Sequence, residues 1–512
     1  MSDRALGRYD VVVVGYGPVG AAAALMLAYE GLRVAVLERA TEIYDLPRAV
    51  NLDGEIVRAF HRIGHGAAIV DVLQEPRAGD AVCFTDSKRR VLFGMDLEPQ
   101  GYCGWPDVNF MDQPELEARL RELVDADDRI DVFLSHEVTG LRQRDDSVTV
   151  VAADLDRGDA VSVEAAYAVA CDGASSFVRR NLGIEWASLG YDQDWLVVDV
   201  EEEPGSPLPL GTMQVCDPAR LTTYVCVKDP NRRWEFRLLP GESRDEMQRP
   251  DKVRELLDPW APPDQYRLRR AAVYQFHAAN ASRWRDGRVF LAGDAAHQTP
   301  PFLGQGLNSG VRDVFNLAWK LGRVLRGESR TELLDSYEAE RDPHARDLVE
   351  WAVAIGRLME SLAAAEAGEA TDPPDLSSGY GQGRVVPPLR DGVLVTEQTG
   401  DDGPAGGLLR QPRVTLPDGS VGWFDDALGA GFCVVVRSRA AARLSDKHRA
   451  WLERASVPVL ALDEVDAVEG RLDSVLANHE AAIVRPDRYV FGAADDHTTL
   501  DDLVARLASL LA

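Results

Sequence analysis

The strongest constraint on this chain lies in its first forty residues. Val11 to Val14 is an unbroken β-branched run, the pattern of a strand buried on both faces of a parallel sheet. Gly15-Tyr16-Gly17-Pro18-Val19-Gly20 follows at once, then an alanine-rich stretch to Tyr29, a stop at Gly31 and a second strand from Arg33 to Leu37. This is a βαβ unit. In a G-x-G-x-x-G turn the first glycine permits the tight bend, the second lets a pyrophosphate approach the backbone, and the third lets helix and strand pack closely. The helix start adds free N–H groups and partial positive charge. Glu38 ends the second strand, 18 residues after Gly20, where an acid accepts hydrogen bonds from ribose hydroxyls. The pattern points to a dinucleotide; the plainer alternative is a glycine turn with a surface glutamate. It does not separate NAD from FAD, and Glu38 disfavours a 2′-phosphate.

At 512 residues the chain is long enough for two to four domains of about 150 residues. The formal charge of −28 argues against nucleic acid or an anionic membrane as partner. Six cysteines, with no CxxC pair and no Cys/His cluster of zinc spacing, predict no metal site and a reducing, cytoplasmic setting. The N-terminus has no apolar signal core, and no apolar run approaches the roughly 20 residues of a membrane span.

Along the chain, Asp112 to Val124 has helical spacing of Leu116, Leu120 and Val124, and Tyr167 to Cys171 is a short strand running into Asp172-Gly173. Strand-like pieces such as Trp195–Val200 and Trp234–Leu239, broken by Pro and Gly, predict an antiparallel sheet over 188–275. Arg288 to Ala292 is a strand running into Gly293-Asp294, and a long helix begins near Asn308. The expected domains are therefore 1–187 and 276–363 as two parts of one dinucleotide domain, the sheet insertion 188–275, a linker 364–390 and a third region 391–512. Asp294, at a strand end, suits a polyol hydroxyl. The small residues Gly304 and Gly306 before a helix start suit an anion such as reduced flavin; the plainer alternative is a glycine-rich connection capped by Asn308.

Three motifs in this order resemble the class A flavin-dependent aromatic hydroxylases: the glycine turn with Glu38, Cys171-Asp172-Gly173 with Arg179 and Arg180, and Gly293-Asp294 with Gly304-Gln305-Gly306-x-Asn308. The longer strings Val169–Arg180, Leu291–Leu321 and Arg485–Val490 look most like the 3-(3-hydroxyphenyl)propionate hydroxylase branch. The resemblance implies an α/β fold: a Rossmann-like FAD-binding domain of the p-hydroxybenzoate hydroxylase type, an inserted mostly antiparallel β substrate domain and a thioredoxin-like C-terminal domain. It implies FAD as cofactor, NADH or NADPH as co-substrate, and O₂ with a small aromatic substrate. A flavin C4a-hydroperoxide then hydroxylates a phenol ortho to its hydroxyl. It leaves a homodimer open and supplies no catalytic side chain.

Residue by residue, the resemblance places Gly15, Gly17, Pro18 and Gly20 at the pyrophosphate, Glu38 and Arg39 at the adenosine ribose, and Val138 at the adenine. Arg48 falls at the pyrophosphate and flavin edge, Gln113 and Asp294 at the ribityl chain, and Asp172 in a shared FAD and NAD(P)H fingerprint, with a purely structural role as its alternative. Pro301, Gly304, Gln305, Gly306, Leu307 and Asn308 would line the isoalloxazine. His297 reads as a packed histidine, and Arg179 and Arg180 have surface positions as their alternative. Arg237 is a candidate cation for a carboxylate-bearing substrate, and Tyr224 a candidate hydrogen-bond partner for a phenol. The tail has Cys433 as its only cysteine, which excludes dithiol chemistry within it. The rival readings are a hydroxylase of larger aromatic polyketides, a non-catalytic flavin-binding protein, a nicotinamide-dependent dehydrogenase and a flavin halogenase.

Overall fold

The β-branched run is the middle of a parallel sheet. In the computed structural model the strand Arg4–Val14 lies between Ala160–Ala170 and Val34–Leu37, parallel to both. The structure describes residues 4–77, 79–205, 208–209, 211–374, 386–400, 403–416, 418–469 and 472–512. Ile130–Phe133 and Val289–Leu291 extend the sheet on its two sides. The helix Pro18–Tyr29 packs on the long helix Gln305–Leu325. Small residues allow the approach: a Cβ on Gly310 would come within 2.7 Å of Val19, and Ala21 to Ala24 are buried.

A second, eight-stranded sheet runs in the order His297–Gln298, Tyr266–Ala281, Trp186–Glu202, Asn231–Arg237, Thr222–Cys226, Thr212–Val215, Ala81–Thr85, Val91–Asp96. It is antiparallel throughout except where Thr212–Val215 meets Ala81–Thr85. Its last two strands come from residues 81–96, which the expected boundaries left in the first domain. Val91–Asp96 is exposed along its whole length, so it lacks the alternation that marks a half-buried strand.

The two faces of this sheet meet different neighbours. Leu196, Val198, Tyr224, Trp234 and Phe236 form one core with Met247, Val253 and Leu257 from two short helices. Phe84 and Trp195 form another with Phe302 and with Val349, Val353 and Met359 of the helix Ser336–Glu366. The predicted linker begins as the end of that helix, and residues 375–385 of it lie outside the described residues.

The C-terminal region centres on Cys433–Val436, with Val459–Ala461 parallel on one side and Ala481–Val484 antiparallel on the other. The helices Asp446–Arg454 and Leu500–Leu511 help close its core, which takes in Trp319 and Leu333 from outside the region. Beside that seam Glu340 accepts from Lys320 Nζ at 2.8 Å, Arg485 at 2.7 Å, Asn316 at 2.6 Å and Val393 N at 2.8 Å. Burial alone would raise the Glu340 carboxyl, but Arg485 and Lys320 overcome it and hold it at about 2. No helix among the described residues is long and apolar enough to cross a membrane.

Glu340→Gln leaves buried Lys320 without its carboxylate and Arg485 with Asp487 alone, a change that costs about 3–5 kcal/mol. Urea unfolding at pH 7 is expected to show that loss. Because the folded pKa is depressed, the Glu340 contribution is full above the unfolded value of about 4.3 and fades as pH falls toward 2. The gap between wild type and variant is therefore expected to narrow in acid.

Candidate active site

The glycines of the first turn separate into two kinds. A Cβ on Gly15 (φ +98°) would lie 2.5 Å from Cys171 O, and one on Gly20 2.0 Å from Gly15 O. Both are demanded by packing. A Cβ on Gly17 would meet nothing within 4 Å, so that position opens onto free space. Pro18 follows as the first helical residue, and no side chain caps this helix end. Its N–H groups remain available to an anion. Glu38 accepts from Tyr16 N at 2.7 Å and Ala40 N at 2.8 Å, which fixes the carboxylate beside the turn. Arg39 is exposed next to it. His136 N donates to Glu38 O at 2.8 Å, bringing the strand that carries buried Val138 to the same end of the sheet.

The second motif repeats this logic. Gly304 (φ +63°) has Asn51 Oδ1 2.1 Å from where its Cβ would be, whereas a Cβ on Gly306 would meet nothing within 4 Å. The long helix that starts here has no side-chain cap. Pro301, Gly304, Gly306 and Leu307 are half-buried. Gln305 and Asn308 turn inward instead: Gln305 Nε2 donates to Asp53 Oδ2 at 3.0 Å, and Asn308 Oδ1 accepts from Asp53 N at 2.9 Å. Their side chains set the turn and leave the backbone N–H groups to any ligand. Asp294 is exposed, yet desolvation raises its pKa against the opposing pull of His297 and Arg48. The carboxyl is thus open to a ligand beside the start of the long helix. Two uncapped helix ends, two open glycines and an exposed carboxyl fit an FAD.

Other predicted residues hold this frame. The Gln113 amide oxygen accepts from Arg48 N at 3.1 Å and Ala49 N at 2.7 Å, and its Nε2 donates to Glu117. Gln113 thus positions the loop that presents exposed Arg48, whose guanidinium sits 5.1 Å from the Tyr44 ring. Asp172 Oδ2 accepts from Val178 N at 3.0 Å, and burial raises its pKa. Arg179 lies 4.2 Å over Trp186 and is buried, while Arg180 is exposed. Buried His297 bonds Asp313 Oδ2 at 2.8 Å and stacks on Trp284.

The structure turns Tyr224 away from the inward sheet face and pairs Arg237, which lies on that face, with a carboxylate. Tyr224 is on the sheet face turned away from Phe302, packed with Trp234 and Trp260, and its hydroxyl donates to Pro209 O at 2.7 Å. One residue of strand alternation decides this. Arg237 shares the Trp195 face, but its Nη1 donates to Glu360 at 2.8 Å, so its charge is compensated. The inward face carries residues that were not singled out. Asp199, Arg233 and Arg270 stand opposite one another on three strands. Arg233 donates to Arg48 O and Pro47 O, each at 2.6 Å, and Arg270 to Pro47 O at 2.7 Å. Glu235 lies one step further along, between Thr223 and Val197. The alternation of Trp234 and Phe236 was the available signal: it puts Arg233, Glu235 and Arg237 together on the opposite face.

Residues 8–352 match the family model described as FAD binding domain, and residues 406–510 the HcaD C-terminal domain. A Rhodococcus jostii (strain RHA1) protein named as a probable NADH-specific resorcinol 4-hydroxylase is 35% identical over 517 residues, covering 98% of this chain and 95% of that one. The 3-(3-hydroxy-phenyl)propionate/3-hydroxycinnamic acid hydroxylase of Escherichia coli (strain 55989 / EAEC) is 34% identical over 98% of this chain and 94% of its own. Among solved structures, aklavinone-11 hydroxylase with FAD and aklavinone superposes with a TM-score of 0.81 at 26% identity, covering 100% of this chain and 99% of that one.

The two kinds of glycine make a paired prediction. Gly17→Val places a side chain in open space, so stability is expected to change by under about 1 kcal/mol, while FAD affinity falls at least about tenfold. Gly20→Val meets a backbone oxygen and is expected to cost about 3 kcal/mol or more. Thermal unfolding, and flavin absorbance after loading with FAD, read the two effects separately.

Proposed function

The chain belongs to the FAD-binding-domain family that includes flavin-dependent aromatic hydroxylases, and on that premise we propose that it is an NADH-consuming monooxygenase that hydroxylates a small phenol ortho to its hydroxyl. FAD is its cofactor. When bound, the flavin supplies hydride acceptance and the activation of O₂. The overall balance is one phenol, one O₂, one NADH and one proton to one catechol-type product, one NAD⁺ and one water.

The protein's share is placement. The first helix end and Glu38 hold the adenosine half, and Asp294 with the open start of the long helix holds the flavin half. The inward sheet face closes the substrate side, with Trp195, Phe276 and Phe302 in mutual ring contact excluding water. The observation that carries the reading is exposed Asp294 beside an uncapped helix start that opens at Gly306. Six free cysteines accord with a cytoplasmic setting.

Charge pairing on the inward face ranks the substrates. Arg233 and Arg270 pair with Asp199, and Arg237 with Glu360. Among the described cations of this region Arg48 has no carboxylate partner. An uncharged ring such as resorcinol needs no cation; an arylpropionate must use Arg48. A second reading, a hydroxylase of larger polyketide rings, draws on the aklavinone-bound relative.

The test is NADH and NADPH oxidation by the FAD-loaded protein, with resorcinol or 3-(3-hydroxyphenyl)propionate and product mass. The expected result is stimulation by NADH with a gain of one oxygen, greater for resorcinol. A yellow protein stimulated only by a polycyclic phenol favours the second reading. A flavoprotein that consumes no O₂ with any phenol is a binding protein. Failure to take up FAD overturns the assignment.

A further inference from the structure

One carboxyl on the inward sheet face stands apart from the paired carboxylates around it. Glu235 is 4% exposed and has no hydrogen-bond or ion-pair partner among the described residues. Its neighbours are all committed elsewhere. The Thr223 hydroxyl, on the adjacent strand, donates to Gln214 Oε1 at 2.6 Å. Arg233, two residues away on the same strand, and Arg270, two strands over, are spent on Asp199 and on the carbonyls of Pro47 and Arg48. Arg237, two residues the other way, is held by Glu360. Neither Glu235 oxygen is among the fully enclosed unpaired polar atoms of the described residues, so the carboxyl is open to an arriving partner. Toward the edge of the same row Ala272 is half-exposed, as is Tyr274 on the next, so the face is uncovered there. The Arg48 loop, gripped by Arg233, lies along it.

We propose that the Glu235 carboxylate receives the substrate's phenolic hydroxyl and accepts its proton. The inference rests on the hydroxylase reading and names the group at the substrate end of that site. An arriving ligand must supply a donor, because a carboxylate accepts hydrogen bonds only. A substrate carboxylate is repelled, which orients a substrate with its phenol toward the sheet. In the step itself the phenol O–H bond breaks, the proton forms an O–H bond on Glu235, and the electron pair stays on the substrate oxygen. It delocalises to the ortho carbon, which becomes nucleophilic toward the oxygen delivered by the O₂- and NADH-dependent reaction. The delivered oxygen arrives as a hydroxyl; as the ring regains aromaticity the ortho C–H proton leaves to solvent and Glu235 returns its proton to the original phenolic oxygen. Glu235 ends the turnover as a carboxylate.

The surroundings suit this role. Burial pushes the Glu235 carboxyl up to about 7, with Arg233 and Arg270 pulling it down and Asp199 pushing it further up. A base with that value works near neutral pH. The other groups facing this region are Tyr274 and Arg48, and the Glu360-bound Arg237.

Two variants test it on the FAD-loaded protein. Binding of resorcinol and of 1,3-dimethoxybenzene, which has no O–H, is followed by flavin fluorescence. Wild type is expected to favour resorcinol by about tenfold or more, and Glu235→Ala to lose that preference while binding the diether unchanged. Glu235→Gln is expected to keep NADH-dependent flavin reduction. It should lower resorcinol hydroxylation by about 10²-fold or more, as removal of a general base does, and move the rising limb of the pH profile from near 7 toward the phenol's own ionisation. A folding control follows from linkage. The raised pKa means stability falls as pH climbs from about 4.3 through 7, so Glu235→Gln is expected to have the higher Tm above pH 7. Equal binding of resorcinol and diether by wild type overturns the proposal. So do an unchanged rate and pH profile in Glu235→Gln, or loss of FAD uptake in both variants, which makes the residue structural. If wild type prefers resorcinol but no phenol drives O₂ uptake, the hydroxylase reading fails and Glu235 stands as a phenol-binding group.

Discussion

Two buried guanidinium groups decide where the sheet sits relative to the cofactor loop. Arg233 and Arg270 are removed from water, and each must place its N–H groups on acceptors. Asp199 takes part of that demand, at 2.7 Å from Arg233 Nε. The rest falls on the carbonyls of Pro47 and Arg48. The acceptors belong to backbone, so the loop is held by its main chain and the Arg48 side chain stays free. Gln113 grips the same loop from the other side through the N–H groups of Arg48 and Ala49. A segment anchored through both its carbonyls and its amides has little freedom to drift, which is the rigidity a positioned substrate needs.

The C-terminal region reaches the same turn by another route. Tyr489 donates to Glu55 Oε1 at 3.0 Å, and Glu55 accepts from Arg312 Nε at 2.7 Å. Arg312 in turn donates to Gln305 Oε1 at 2.7 Å and pairs with Asp53 at 2.5 Å. Asp53 N bonds Asn308. A continuous polar chain thus runs from the tail to the residues that shape the start of the long helix. Nearby, Asp425 bonds Arg58 at 2.7 Å and Arg488 at 3.1 Å. Burial would raise Asp425, but Arg488 and Arg58 hold it below the usual carboxylate range. The tail holds Cys433 buried and alone; its tie to the turn is this polar chain.

How much of this was legible in sequence follows from what each residue answers to. Gly15, Gly17 and Gly20 answer to local backbone geometry, so their spacing was informative. The helix Leu500–Leu511 likewise answers to local signals, its apolar period and its Thr499 cap. The strand Asn231–Arg237 shows the limit. Its alternation was plain, but Arg233, Glu235 and Arg237 on one face look like a solvated face until a second domain covers it. That covering brings together residues about 185 positions apart, Arg233 and the Pro47–Arg48 carbonyls, and no window along the chain contains both. Gln305 and Asn308 were flagged as lining the cofactor because the motif contains them. Their side chains turn inward because Asp53, far off in sequence, is their partner.

The cleft then has two walls of opposite character, and the reaction needs both. The start of the long helix offers N–H groups and partial positive charge, with Arg48 nearby, where the proposed function puts the anionic reduced flavin. The sheet offers Glu235 on the side where a phenol must lose a proton. Making the ring electron-rich and stabilising an electron-rich cofactor are opposing electrostatic tasks. A single uniformly charged pocket would serve one at the expense of the other. Separating them across a cleft, with the Asp199, Arg233 and Arg270 cluster neutralising its own charges between them, lets each act at short range where the low dielectric makes it strong. The same separation explains why a buried carboxyl is left unpaired. A cation on Glu235 would remove the stability cost and, with it, the base.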